Sequence, residues 1–304
     1  MIVASIDIGT NTVLLLIAEV NLDNLNFTPI KEETRMPRIG QGTKKSGFIT
    51  SEKIDLLYGI LEEYNEIIKA YKCERIILIG TNAFRIANNT SSIIKEIKQR
   101  FDYDLNVVSG ETEAKLAFWG ATSSVKENCN TMVIDIGGSS TEIILGNVNE
   151  ILSKVSLQIG SVVGTEHFLL HTPPLQSEIN ALRMETDKLI EKVESIESPG
   201  KAIAIAGTAT TAACMVLGIK EFNEEMVSNY ELNQEMITKL LDNLLQLNHS
   251  EILAKYGRVM EGREDIILAG IIILIQIMKK YSFEKLMVST RGIRYGAIIN
   301  YFQK

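Results

Sequence analysis

Two rhythms of apolar and polar positions alternate along the chain, and together they give the order of its elements. Short apolar runs at Ile2–Ile8, Thr12–Val20 and Phe27–Met36 are parted by a Gly-Thr-Asn turn and an Asn/Asp-rich turn at Asn21–Asn26, which predicts a three-strand meander. From Ser51 to Tyr71 the rhythm changes: Ile54, Leu57, Tyr58, Leu61, Tyr64, Ile67 and Ile68 recur at helical spacing behind a Ser51 cap. A strand at Arg75–Ile79, a helix at Ile93–Phe101, a strand at Leu105–Val108 and a helix at Glu111–Ser123, entered through Ser109-Gly110, complete the first half.

After a polar link at Lys126–Asn130 the same order restarts. Strands are predicted at Met132–Ile136, Thr141–Leu145 and Glu150–Leu157, then helices at Gly160–Leu170 and Gln176–Glu194. Pro199-Gly200 punctuates before strand Ala202–Ala206; helices follow at Thr208–Leu217, Leu232–Leu247 and Glu264–Tyr281, then strand Leu286–Val288 and helix Ile293–Phe302. Strands alternating with helices predict a mostly parallel, helix-covered sheet in each half. Laying Val3–Val20 on Thr131–Val148 superposes Ile6-Asp7-Ile8-Gly9 on Ile134-Asp135-Ile136-Gly137, so the halves read as a duplication, with domains at 1–124 and 125–304.

Length agrees, since 304 residues exceed what one hydrophobic core usually serves. Hydrophobic residues at 45 % and charged residues at 23 % exclude a disordered or fibrous chain. The apolar N-terminus carries Asp7, Asn11 and Glu19 and lacks a basic leader, and Ile266–Met278 is shorter than the roughly 20 residues of a membrane span, so both read as core. Cys73, Cys129 and Cys214 give neither a disulfide framework nor ligand spacing, which suits a cytoplasmic setting. His167, His171 and His249 lack ligand spacing too, which argues against zinc. A net charge of −7 argues against nonspecific nucleic-acid binding, so a polyanionic substrate has to meet a local positive cluster.

Each half opens on an apolar strand ending in Asp, then Gly, then small hydroxyl or amide residues: Asp7-Ile8-Gly9-Thr10-Asn11-Thr12 and Asp135-Ile136-Gly137-Gly138-Ser139-Ser140-Thr141-Glu142. Small residues leave backbone N–H groups bare to converge on phosphate oxygens, and a carboxylate at the strand end can hold Mg²⁺. A single copy is as easily an Asp-capped turn. Two copies at matching places resemble the actin-like ATPase superfold, which implies duplicated, ribonuclease H-like α/β domains with mixed sheets covered by helices and a cleft between two lobes. A further turn, Gly207-Thr208-Ala209-Thr210-Thr211, falls where that superfold approaches a nucleoside or distal phosphate, and it reads equally as a helix cap.

Ser109-Gly110-Glu111-Thr112-Glu113-Ala114, followed by Asp135 to Glu142, resembles the exopolyphosphatase and guanosine pentaphosphate phosphohydrolase (Ppx/GppA) family. Gly80-Thr81-Asn82-Ala83-Phe84-Arg85, Gly207-Thr208-Ala209, Gly262-Arg263-Glu264-Asp265-Ile266-Ile267 and Ser289 to Gly296 extend the likeness over nearly the whole chain. The resemblance implies that Glu113 orients or deprotonates the attacking water and Arg85 meets phosphate charge. It makes Asp135 and Glu142 metal-site acids, with Asp7 beside them, for Mg²⁺ or another divalent cation. Asn11 and the backbone of Gly137, Gly138 and Ser139 would hold phosphate, joined by Gly207 and Thr208. Ser139 stands where the family often has a third Gly, and the chain matches the short two-domain form.

Without the resemblance, Glu111 and Glu113 read first as charges favouring a helix start. The basic segment Arg35 to Lys45 reads equally as a substrate-steering strap and as an exposed loop. Arg263, Arg291 and Arg294 either extend the positive surface or pair with acids such as Glu264 and Asp265, and structural pairing is the preferred reading. The expected activity is metal-dependent hydrolysis of terminal phosphoanhydride bonds in polyphosphate or guanosine pentaphosphate, with no nucleic acid and no membrane as partners and a homodimer left open. A small-molecule kinase or a nucleotide-sensing protein of the same superfold is the alternative.

Overall fold

A computed structural model describes residues 1–302 apart from 24–25, 124, 126–128, 148–149 and 192–198. Parts of the predicted turn at Asn21–Asn26, the link at Lys126–Asn130 and the helix end at 192–194 lie outside the described residues. The chain divides into two units: Met1–Ser123 with the last helix, Ile293–Phe302, and Ser124–Gly292 between them. The last helix therefore packs with the first unit, whereas the sequence ran the second domain to 304.

In the first unit, β1 (Ile2–Ile8), β2 (Val13–Val20) and β3 (Phe27–Arg35) form the antiparallel meander. β4 (Arg75–Gly80) and β5 (Leu105–Val107) extend it in parallel, in the order β3-β2-β1-β4-β5. In the second unit β6 (Thr131–Ile136), β7 (Thr141–Gly146) and β8 (Ile151–Leu157) repeat the meander. β9 (Lys201–Ile205) pairs with β6 in parallel. Then come β10 (Glu231–Asn233), antiparallel at the edge, and β11 (Lys285–Val288), in the order β10-β11-β9-β6-β7-β8. Apart from β10 the two orders are the same, which is the duplication seen in three dimensions.

β1 is buried almost throughout because both faces of its sheet are covered. Ala4, Ile6 and Ile8 pack with Leu57, Leu61 and Tyr64 of helix Ser51–Ala70. Strand alternation sends Val3, Ser5 and Asp7 to the other face, where Val3 and Leu16 meet Tyr295 and Ile298 of the last helix. On that face, helix Gly110–Thr122 and the last helix cross closely: a Cβ on Gly296 would lie 1.9 Å from the Leu116 carbonyl oxygen. In the second unit, helix Ile267–Lys280 is buried from Ile267 to Met278 and forms the centre of the core.

The predicted helix over Leu232–Leu247 divides in the structure. Glu231–Asn233 pairs with β11, and Asn233 then caps helix Gln234–Leu244 by accepting the Met236 N–H at 2.8 Å. The structure adds short helices at Thr43–Ser46, Asn82–Ile86, Glu224–Val227 and His249–Tyr256, whose few turns give no apolar period in the sequence.

Candidate active site

The first unit gathers its chemistry at the ends of β1, β4 and β5. Asp7 lies near the end of β1, paired across to Leu14 and, on its other side, to Ile79. After β4 the chain turns at Thr81 into helix Asn82–Ile86, which carries Arg85. After β5, Ser109 caps helix Gly110–Thr122 by accepting the Thr112 N–H at 3.1 Å. Arg85 Nη1 donates to Glu113 Oε2 at 2.6 Å and to the Val108 carbonyl at 3.0 Å. The two acids of that first turn therefore differ: Glu111 pairs with exposed Lys115, four residues on, while Glu113 faces Arg85.

Asp7 is 7 % exposed, and its Oδ1 has no hydrogen-bond partner among the described residues. Burial pushes its carboxyl up to about 7, the nearby Glu113 charge pushes the same way, and the Arg294 guanidinium opposes both. Arg294 pairs with Glu32 at 2.5 Å, and the Tyr295 hydroxyl donates to the same carboxylate. Arg294 is thus paired with an acid, as its preferred reading had it, but the acid is Glu32 on β3 rather than Glu264 or Asp265. The Ser-Thr-Arg-Gly-Ile-Arg segment was the signal, but an acid so remote in sequence left no spacing to read.

Both hairpin turns fold alike. Gly9 N–H donates to the Thr12 carbonyl at 2.9 Å and Gly137 N–H to the Ser140 carbonyl at 3.0 Å. The chain after each third strand returns to its turn and donates to the turn carbonyls: Arg38 N–H to Asn11 and Gly40 N–H to Thr10 in the first unit, Ser161 N–H to Gly137 and Val162 N–H to Gly138 in the second. Turn carbonyls are thus consumed, whereas the N–H groups of Thr10, Asn11, Gly138 and Ser139 donate to no backbone carbonyl among the described residues. Donors left over beside small side chains make an anion-binding concavity.

In the second unit Asp135 and Glu142 are directly opposed on β6 and β7, which puts both carboxylates on one face within roughly 5 Å between Cβ atoms. Ser156 Oγ donates to Glu142 Oε1 at 2.9 Å. In the duplicated register Leu14 stands where Glu142 stands, so the carboxylate pair belongs to one copy only. Like charges so placed repel unless a cation joins them. Among the described residues no three His, Cys, Asp or Glu side chains converge as a metal cage. Mg²⁺ needs none, because it keeps several waters and takes one or two carboxylates plus substrate phosphate. Within the second unit the Asp135–Glu142 pair offers two carboxylates of that kind.

At the end of β9, Ala206 takes a φ of 64° and opens helix Ala206–Leu217 without a lead-in. A Cβ on Gly207 would lie 1.5 Å from Arg263 Nη1, so glycine is what lets that guanidinium lie across the helix start. The Thr208 side chain is buried against Gly270, which leaves its backbone, not its hydroxyl, toward the helix N-terminus. Burial pushes the Cys214 thiol on this helix up to about 11, with Arg263 opposing, so it is no nucleophile at neutral pH.

The model of the Ppx/GppA phosphatase family matches residues 16–304. The chain belongs to that family. Its fold is accordingly the duplicated actin-like one, and membership carries the enzyme class, a phosphohydrolase of acid anhydrides. Among solved structures, an exopolyphosphatase from Cytophaga hutchinsonii is 29 % identical with a TM-score of 0.90, covering 100 % of this chain and 98 % of that one. The Aquifex aeolicus Ppx/GppA family member is 28 % identical with a TM-score of 0.87, covering 100 % and 98 %. Exopolyphosphatase 2 of Mycobacterium tuberculosis is 26 % identical over 98 % of each chain. A bifunctional 3-dehydroquinate synthase/phosphatase of Fusobacterium nucleatum is 34 % identical over 97 % of this chain, which spans 46 % of that protein's length. No described helix is long and apolar enough to cross a membrane.

Proposed function

We propose that this chain hydrolyses terminal phosphoanhydride bonds of inorganic polyphosphate, or converts guanosine pentaphosphate to the tetraphosphate, with Mg²⁺ or another divalent cation. The observation that carries the reading is the Arg85–Glu113 pair at 2.6 Å on the helices that follow β4 and β5, beside buried Asp7. On this reading Glu113 is the proton acceptor and Arg85, bonded to it, the partner of phosphate charge. The relatives' names supply the substrates: exopolyphosphatase in M. tuberculosis, and guanosine-5'-triphosphate,3'-diphosphate pyrophosphatase in Aliivibrio fischeri.

In the proposed step a water oxygen bonds to the terminal phosphorus while Glu113 takes its proton. The bridging P–O bond breaks, and its electron pair leaves with the shortened chain. Arg85 donates to the phosphoryl oxygens as their charge grows. In the first unit Asn11, and in the second the N–H groups of Gly138 and Ser139, bind phosphate oxygens; Gly137, whose own N–H is spent on the Ser140 carbonyl, shapes that turn, and the Gly207-Thr208 helix start adds backbone donors. Asp135, Glu142 and Asp7 are the carboxylates assigned to the divalent cation, which when bound supplies charge neutralisation.

The test is phosphate release from long-chain polyphosphate, guanosine pentaphosphate and ATP, run in parallel with the native chain and Glu113→Gln. Loss of a general base costs about 10²–10⁴-fold, and that loss is expected on at least one of the first two substrates. A Gln variant with full activity removes Glu113 from the role. Consumption of ATP alone, and only with an acceptor present, makes the chain a kinase instead.

A further inference from the structure

The basic segment after β3 is not a free loop. Gly40 N–H donates to the Thr10 carbonyl at 2.9 Å and Arg38 N–H to the Asn11 carbonyl at 3.1 Å, which clips the segment onto the first hairpin turn. The approach is close: a Cβ on Gly40 would lie 2.3 Å from Thr10 Cγ2. Lys53 Nζ holds the Pro37 carbonyl at 2.8 Å, Asn88 N–H holds the Gly47 carbonyl at 2.8 Å, and Ile39, Thr43 and Ile49 are buried. The clip is therefore pinned before, at and after its contact with the turn.

Arg38 takes a φ of 51°, a left-handed conformation that costs a non-glycine residue of order 1 kcal/mol and persists only where its surroundings impose it. A glycine would relieve that cost, yet the chain keeps an arginine at the one clip residue bonded to Asn11. The second unit solves the same problem without a charge, since Gly160, Ser161 and Val162 serve its turn. The second clip therefore closes without a cation, whereas the first carries one.

We propose that Arg38 is a phosphate-binding residue of the first turn, contacting the same oxyanion as the N–H groups of Thr10 and Asn11. The inference deepens the proposed hydrolysis and rests on that reading for its substrate class, a chain of linked phosphates. Its left-handed backbone, fixed by the Asn11 carbonyl, anchors the residue beside those donors. An arginine fork there gives a planar, two-donor contact that backbone amides alone do not provide.

The experiment is titration calorimetry of the full chain with inorganic tripolyphosphate, for the native protein, Arg38→Met and Arg38→Gly, each with a melting curve. Met removes the charge and keeps the stem; Gly removes the side chain and suits the positive φ. The expected result is about tenfold weaker binding in both variants, a shallower dependence of affinity on salt, and a melting temperature that is unchanged in Met and unchanged or higher in Gly. KM for the hydrolysed substrate should rise with kcat kept. Native-like binding in either variant overturns the proposal, as does no binding by the native chain, or a joint fall of binding and melting temperature in both variants. Weakened binding with no turnover by the native chain keeps the inference and sinks the proposed hydrolysis; Glu113-dependent turnover with KM indifferent to Arg38 does the reverse.

Discussion

Asp7 is the residue whose environment is hardest to reconcile with a purely structural role. Alternation along β1 directs it, with Ser5, to the face beneath two helices, and both Ser5 Oγ and Asp7 Oδ1 lack partners among the described residues. Its carboxyl, pushed up to about 7, keeps in the folded chain a proton that the unfolded chain releases near its ordinary value of 3.8. The folded state binds more protons between about pH 4 and 7, so stability falls as pH rises through that window and the full penalty remains above it. In chelator-containing buffer Asp7→Asn is therefore expected to be more stable than the native chain at pH 8, by roughly 2–4 kcal/mol, with the difference vanishing near pH 4. Urea midpoints at the two pH values check this. Arg294 opposes the shift from its pair with Glu32, so Arg294→Met should lower the native stability above pH 7 more than below pH 4.

At the scale of elements, the architecture turns on close backbone contacts that only glycine admits. Gly160 presses on the second turn: a Cβ there would lie 2.5 Å from the Gly137 carbonyl oxygen and 2.7 Å from the Gly138 carbonyl carbon. Gly160→Ala must displace that turn, and a cost of about 1–3 kcal/mol is expected, with phosphate binding weakened beyond what the melting temperature explains. Gly296→Ala pushes the last helix off Leu116, on the helix that bears Glu113, so thermal stability and kcat should fall together. Much of this level was legible in sequence, because the Asp-Gly hairpins and long apolar helices carry their own period. β10 was not, since three residues ending in a helix cap look like the start of that helix. Nor was the placing of the last helix, whose contacts on Leu116 and Glu32 are set by tertiary packing.

For the whole molecule, two units of matching strand order divide the chemistry unequally. The first holds the Arg85–Glu113 pair and Asp7; the second holds the Asp135–Glu142 pair and the Gly137-Gly138 turn. The overlay of Val3–Val20 on Thr131–Val148 already sets Leu14 on Glu142, and the strand register gives the same equivalence. Removing divalent cations with chelator should abolish turnover, and readdition of Mg²⁺ should restore it; phosphate release before and after dialysis measures both. The most direct test of the central claim is turnover of polyphosphate and guanosine pentaphosphate in ¹⁸O-water, with mass spectrometry of the released phosphate. One labelled oxygen per phosphate released from at least one of them, abolished in Glu113→Gln, is the result expected of water attack driven by that carboxylate; unlabelled phosphate, or labelling that survives the substitution, contradicts it.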